Sequence, residues 1–144
     1  MIYYKWLRPD RTTTYQGTLW PVRAGMWTPD KRPVLCESGW HLATLEGVGQ
    51  HARVGAELWT AEGRGESDKD EDKVAFTSAR ILKKAGTLVH LTAVTWAADC
   101  AKRPDSPPLA IIAPGPAANV APAAYAAERR WQSEHLIELL QEES

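Results

Sequence analysis

Five side chains in this 144-residue sequence are of the types that build a binding cleft: Arg8, Trp40, His41, Glu62 and Arg64. An indole offers apolar area with one N–H donor, an imidazole changes charge near neutral pH, a guanidinium forks onto anions and a carboxylate accepts. Trp40 and His41 stand in the run LCESGWHLA, residues 35–43, at the start of an extended piece. Arg8 ends the opening strand, and Glu62 and Arg64 end a later one. Gathered around one concavity, the five would place aromatic, cationic and acidic groups on a single ligand. If the fold leaves Arg8, Glu62 and Arg64 in solvent, they are surface pairs worth ~0–1 kcal/mol each.

Other spacings point to less. Asp68, Asp70 and Asp72 have the one-residue spacing of a calcium loop, but Lys73 stands where that loop needs glycine and Ala79 where it needs a bidentate carboxylate. The run therefore reads as a solvated hairpin tip. His41, His51, His90 and His135 form no HExxH and no close Cys/His pair, so no metal site is expected. Gly47-Val48-Gly49 lacks the third glycine of a dinucleotide fingerprint, and no GxSxG or phosphate-binding glycine loop is present, so no cofactor is expected. Nothing local supports Cys36 and a histidine as a thiol-protease pair.

The elements that must position these groups follow from pattern. Ile2–Leu7 is an aromatic and aliphatic strand stopped by Arg8-Pro9-Asp10. Residues 12–33 mix threonine and tryptophan with proline and glycine, which gives short strands and loops. Pro33–Cys36 reads as an apolar strand, turning at Ser38-Gly39 into a second extended piece. Thr44 caps a short helix over Leu45–Arg53, with Glu46 in its first turn. Ala56–Ala61 is a strand, residues 63–73 a polar hairpin loop, and Val74–Leu82 a strand that pairs back and ends at Lys83-Lys84-Ala85-Gly86. Thr87 caps a helix over Leu88–Arg103 in which Val89, Ala93, Trp96, Ala97 and Cys100 share a face. Pro122 opens a final helix over Ala123–Glu142, with Tyr125, Trp131, Leu136, Leu139 and Leu140 in one arc that Gln132 and His135 interrupt.

The expected fold is α+β: a small antiparallel or mixed N-terminal sheet with a short helix, then a helix, a proline-rich linker and a C-terminal helix. The expected organisation is a β-rich domain over residues 1–103, a linker over 104–122 and an amphipathic helix over 123–144. Composition agrees with one folded unit, at 44% hydrophobic and 24% charged residues. A formal net charge of −1 lacks the basic excess that phosphate backbones demand, so nucleic acid is an unlikely partner by this reading. Charge runs in blocks, positive over residues 1–55, negative over 56–73, positive over 74–103 and negative over 104–144. Two cysteines, Cys36 and Cys100, make no disulfide scaffold and read as free thiols. The opening MIYYKWLRPDR has no apolar core of a leader and no run is long enough to span a membrane, which points to a cytoplasmic protein without membrane contact. Seven tryptophans against one phenylalanine fill a small core or leave some rings for binding.

The runs YKWLRPDRT, LCESGWHLA, ELWTAEGRGE and DKVAFTSARIL, with TWAADCA and AERRWQSEHLIELL, resemble an uncharacterised family of actinobacterial phage and prophage proteins. That family places a tyrosine-rich strand before a Cys-x-x-Gly-aromatic-His motif. The sequence departs from it at residues 104–122, where those relatives carry Ala/Trp-rich helical repeats. The resemblance implies a phage or prophage origin and no known activity. A weaker likeness is to ADP-ribosyltransferases, and it implies Arg8 or His41 against a nicotinamide-bearing substrate with Glu62 orienting a ribose hydroxyl. The Ser/Thr element of those enzymes is missing around Thr44. The leading expectation is a small, non-enzymatic phage-type accessory protein that binds a host or phage protein through its Trp-rich N-terminal surface or its last helix. The alternative is an NAD-using transferase.

Overall fold

Trp6 and Leu7 are adjacent and both buried, yet they serve two different cores, because successive side chains on a strand point to opposite faces. Their strand, β1 (Tyr3–Leu7), is joined by β2 (Trp40–Ala43), β3 (Glu57–Lys69) and β4 (Lys73–Thr87) in a closed antiparallel barrel of order β1-β2-β4-β3. Three helices, α1 (Leu45–Gln50), α2 (His90–Ala101) and α3 (Pro122–Glu142), complete an α+β fold. This computed structural model describes residues 1–103 and 122–142, and the side chains of α3 from residue 126 on. The expected linker therefore lies, apart from Pro122, outside the described residues, as does the side chain of Tyr125.

One core, with Leu7, Trp20, Trp40, Leu42, Val74, Phe76 and Ile81, is built by the strands and the loop before β2. The other lies between sheet and helices and centres on Trp6, Val48, Leu58, Leu88, Trp96, Leu136 and Leu140. Indole N–H groups tie this second core together: Trp6 donates to the Val48 carbonyl at 2.9 Å and Trp96 to that of Gln132 at 2.8 Å. Along α3, residues 129, 132, 133, 136 and 140 are buried at helical spacing. Gln132 thus belongs to the buried stripe, and Ser133 accepts from Gly49 N–H at 3.0 Å. Arg130 meets Glu46 at 2.7 Å, and Arg103 grips Glu128 through two hydrogen bonds of 2.8 and 2.7 Å.

Thr44 caps α1 as its sequence position suggests, accepting from Gly47 N–H and donating to the Glu71 carbonyl. Four expectations change. The acidic run is not a loop: β3 continues to Lys69 and β4 begins at Lys73, leaving only Asp70–Asp72 as a turn. Backbone pairing carries most of that stretch, since the side chains of residues 64–71 are exposed and bury no core. Asp70 organises the turn by accepting from the amides of Asp72 and Lys73 at 3.0 Å each. β4 likewise runs through Lys83–Gly86 to Thr87, which pairs with Glu57, so Thr87 ends a strand and caps nothing. α2 starts at His90, after Val89, with no side-chain cap. Pro33–Cys36 forms no strand; Val34 bridges only Ser38 in a tight turn with Cys36 at φ 63°.

Gly47 brings α1 against the β3–β4 turn, and a Cβ there would collide with the Asp72 carbonyl. Gly47→Ala is expected to cost about 1–3 kcal/mol through forced displacement of that turn, read as a lower urea midpoint. An unchanged midpoint would show that the turn yields freely.

Candidate functional site

On β1, Tyr3 and Leu7 pack with the strand core, so Lys5 between them is turned the same way. Its ammonium donates to the His41 carbonyl at 2.8 Å and lies 6.0 Å from the centre of the Trp20 ring. Burial pushes its pKa down to about 8, and no carboxylate contacts it among the described residues. Beside it opens a concavity of about 500 Å³, a volume ordinary for small-ligand sites. Its lining includes the aromatic residues Tyr4, Trp6, Tyr15, Trp20 and Trp40 and three lysines (Lys5, Lys31 and Lys73), and no aspartate or glutamate.

Trp40 and His41 both line this concavity, but each is also held from behind. Trp40 is 9% exposed, donates to the Pro29 carbonyl at 2.7 Å, packs edge-on against Trp20 at 5.3 Å and carries the Lys31 ammonium 4.3 Å from its ring centre. His41 accepts from the Cys36 N–H through Nε2 at 2.9 Å. Burial, then the charge of Lys5, lowers its pKa against a backbone hydrogen bond with Gly39 that works the other way, so the ring is a neutral brace for the turn. Trp20 is 3% exposed, and its indole N–H has no hydrogen-bond partner among the described residues.

The other three expected residues stand elsewhere. Arg8 is exposed and donates to the Thr14 carbonyl at 3.1 Å, bracing the loop after β1. Glu62 pairs with Arg80 at 3.3 Å, while the guanidinium groups of Arg64 and Arg80 lie 4.3 and 4.7 Å from the centre of the Trp27 ring. None of the three is among the residues that line the concavity. Strand parity does not bring them there, and stacking on Trp27 gives both arginines a neighbour of their own.

In their place the fold assembles residues the motifs did not mark. A lone lysine inside YYKWL, on the parity of two core residues, was the available signal for Lys5. Cys36 is exposed and its sulfur accepts from the Lys73 ammonium at 3.1 Å; that bond, with the charges of Asp70 and Asp72, raises the lysine's pKa despite some burial. At another part of the rim, the Tyr15 hydroxyl is 3.1 Å from His51 Nδ1, and His51 Nε2 is 3.2 Å from an Asp72 carboxylate oxygen. The His51 imidazole beside it holds Asp72 well below the usual carboxylate range. No signal short of the fold pairs Tyr15 with His51, which lie 36 positions apart.

Among the described residues no group of three or more His, Cys, Asp and Glu side chains could hold a metal ion, and no helix is long and apolar enough to cross a membrane. Compared with family models, with curated proteins and with solved structures, the chain matches none.

Proposed function

We propose that this is an accessory binding protein that takes an acidic group of a partner protein into the Lys5 concavity. The observation that carries the reading is the lining itself: three lysines, aromatic residues and no aspartate or glutamate. An ammonium buried without a counter-charge costs free energy, and an incoming carboxylate removes that cost on binding. The unpaired Trp20 N–H adds a donor for a ligand oxygen. Of the two binding surfaces considered from sequence, the N-terminal one is favoured, since the apolar face of α3 is occupied by α1, α2 and β4. The family resemblance makes a host or phage protein the partner, and two free thiols suit a reducing cytoplasm.

The test is a titration of a six-residue peptide of alternating glutamate and phenylalanine, followed by tryptophan fluorescence, beside a twin with glutamine for glutamate. The acidic peptide is expected to bind at least about tenfold more tightly, and its affinity to fall in high salt as charges are screened. Equal binding of the twin would overturn the reading.

A further inference from the structure

The three lysines that line the concavity differ in what holds their nitrogens. Lys73 has the Cys36 sulfur at 3.1 Å, and the charges of Asp70 and Asp72 add to that bond in raising its pKa, so it stays an ammonium. Lys31 rests 4.3 Å from the centre of the Trp40 ring, whose face favours a cation. Lys5 has the least support. Its nitrogen donates to the His41 carbonyl at 2.8 Å and lies 6.0 Å from the centre of the Trp20 ring, and burial brings its pKa down to about 8. About a tenth of the chains therefore carry a free amine there at pH 7, roughly three-hundredfold more than at a lysine of ordinary pKa. An amine still donates to the His41 carbonyl, so deprotonation keeps that bond and frees a lone pair.

His41 and Trp20 line the concavity as Lys5 does, which sets this nitrogen among groups that a guest would touch. The other two lysines stand close by. The charges of Lys5 and Lys73 both act on the His41 ring, and the Trp40 ring that carries Lys31 packs on Trp20 at 5.3 Å. A desolvated lysine beside other cations is the arrangement in which a lysine becomes a nucleophile toward carbonyl compounds.

We propose that Lys5 forms an imine with a small aromatic aldehyde that carries an anionic group, which Lys31 and Lys73 attract. This shares the cationic lining with the binding reading and goes beyond it by adding a covalent bond. The neutral Lys5 nitrogen attacks the carbonyl carbon, and the π pair moves to oxygen, which takes a proton from water while the nitrogen gives one up. The carbinolamine then loses that oxygen as water as the nitrogen lone pair closes the C=N bond. One amine and one aldehyde give one imine and one water, with no change of oxidation state and no further reactant. A single-ring aldehyde is small against a concavity of about 500 Å³, and the aromatic lining suits its ring.

The probe is 4-formylbenzoate, mixed with the full chain near neutral pH and fixed by cyanoborohydride, beside its uncharged methyl ester. One adduct is expected, mapped by mass spectrometry to Lys5 rather than to the exposed Met1 amine or to Lys69, Lys83, Lys84 or Lys102. The ester should label Lys5 at least about tenfold less, as should the acid on the Lys31→Gln chain. Lys5→Arg keeps a positive charge but has no amine to offer, and it should show no adduct at the site. Labelling of folded wild-type protein that spreads over exposed amines, or that the ester matches, would overturn the proposal. Binding of the acidic peptide without a Lys5 adduct defeats this proposal alone, and a Lys5 adduct without peptide binding defeats the function proposed above.

Discussion

Lys5→Met is expected to make the protein more stable while stripping it of anion binding. The lysine's pKa in the folded chain is about 8 against an ordinary 10.5. Below pH 8 folded and unfolded chains both carry the proton, and the whole desolvation penalty weighs on the fold. Between about 8 and 10.5 the unfolded chain keeps a proton that the folded chain has released, so wild-type stability rises with pH across that window. The gap corresponds to about 3 kcal/mol, from which the lost hydrogen bond to the His41 carbonyl takes back ~1. Urea denaturation at pH 6 should therefore show the variant ahead by about 2 kcal/mol, with the advantage gone above pH 10.5. The same variant should bind the acidic peptide at least about tenfold more weakly. A destabilised Lys5→Met chain, or an advantage that ignores pH, would mean that the ammonium is not the strained group described here. Residues that bind are commonly a burden to the fold that holds them.

The largest loss should come from the other core. Trp96 is fully buried, donates to the Gln132 carbonyl and packs close to Gly49, where an added Cβ would stand 3.1 Å from its ring. Trp96→Ala removes a ring that joins α1, α2 and α3, gives up the indole hydrogen bond and opens a cavity that rigid neighbours cannot fill. A cost of about 3–5 kcal/mol is expected, a large part of the 5–15 kcal/mol that holds an ordinary domain. Trp27→Ala is the contrast, since that half-buried ring holds arginines rather than a core and should cost about 1 kcal/mol. Urea midpoints for the two variants measure the difference. Equal losses would mean that α3 is not docked through Trp96.

Local chemistry in the chain announced some of this. Thr44 caps a helix because its side chain and the following amides are neighbours in sequence, and the pairing of Glu57–Ala61 with the following strand shows in alternation on either side of a polar stretch. The length of the hairpin did not show, because the stretch from Arg64 to Lys69 joins the ladder through backbone groups that every residue carries. Thr87 has the type of a cap, but cross-strand pairing to Glu57 claimed it first. Trp40 and His41 were legible as peculiar, and both reach the concavity. Arg8, Glu62 and Arg64 were not separable from surface charge, and their own neighbours hold them outside it. Lys5 was hidden by its type, since a lysine reads as solvent-facing even on a buried parity. Tyr15, His51 and Asp72 come from three segments that only the closed fold brings together.

The barrel is closed unevenly. β1 meets β2 through one residue pair, Tyr4 opposite Ala43, whereas every other pair of neighbouring strands shares a longer ladder. Tyr4 and Ala43 also stand in the wall of the concavity. Parting the sheet at that one stitch would give up a single residue pair, while the long β3–β4 hairpin keeps its own ladder.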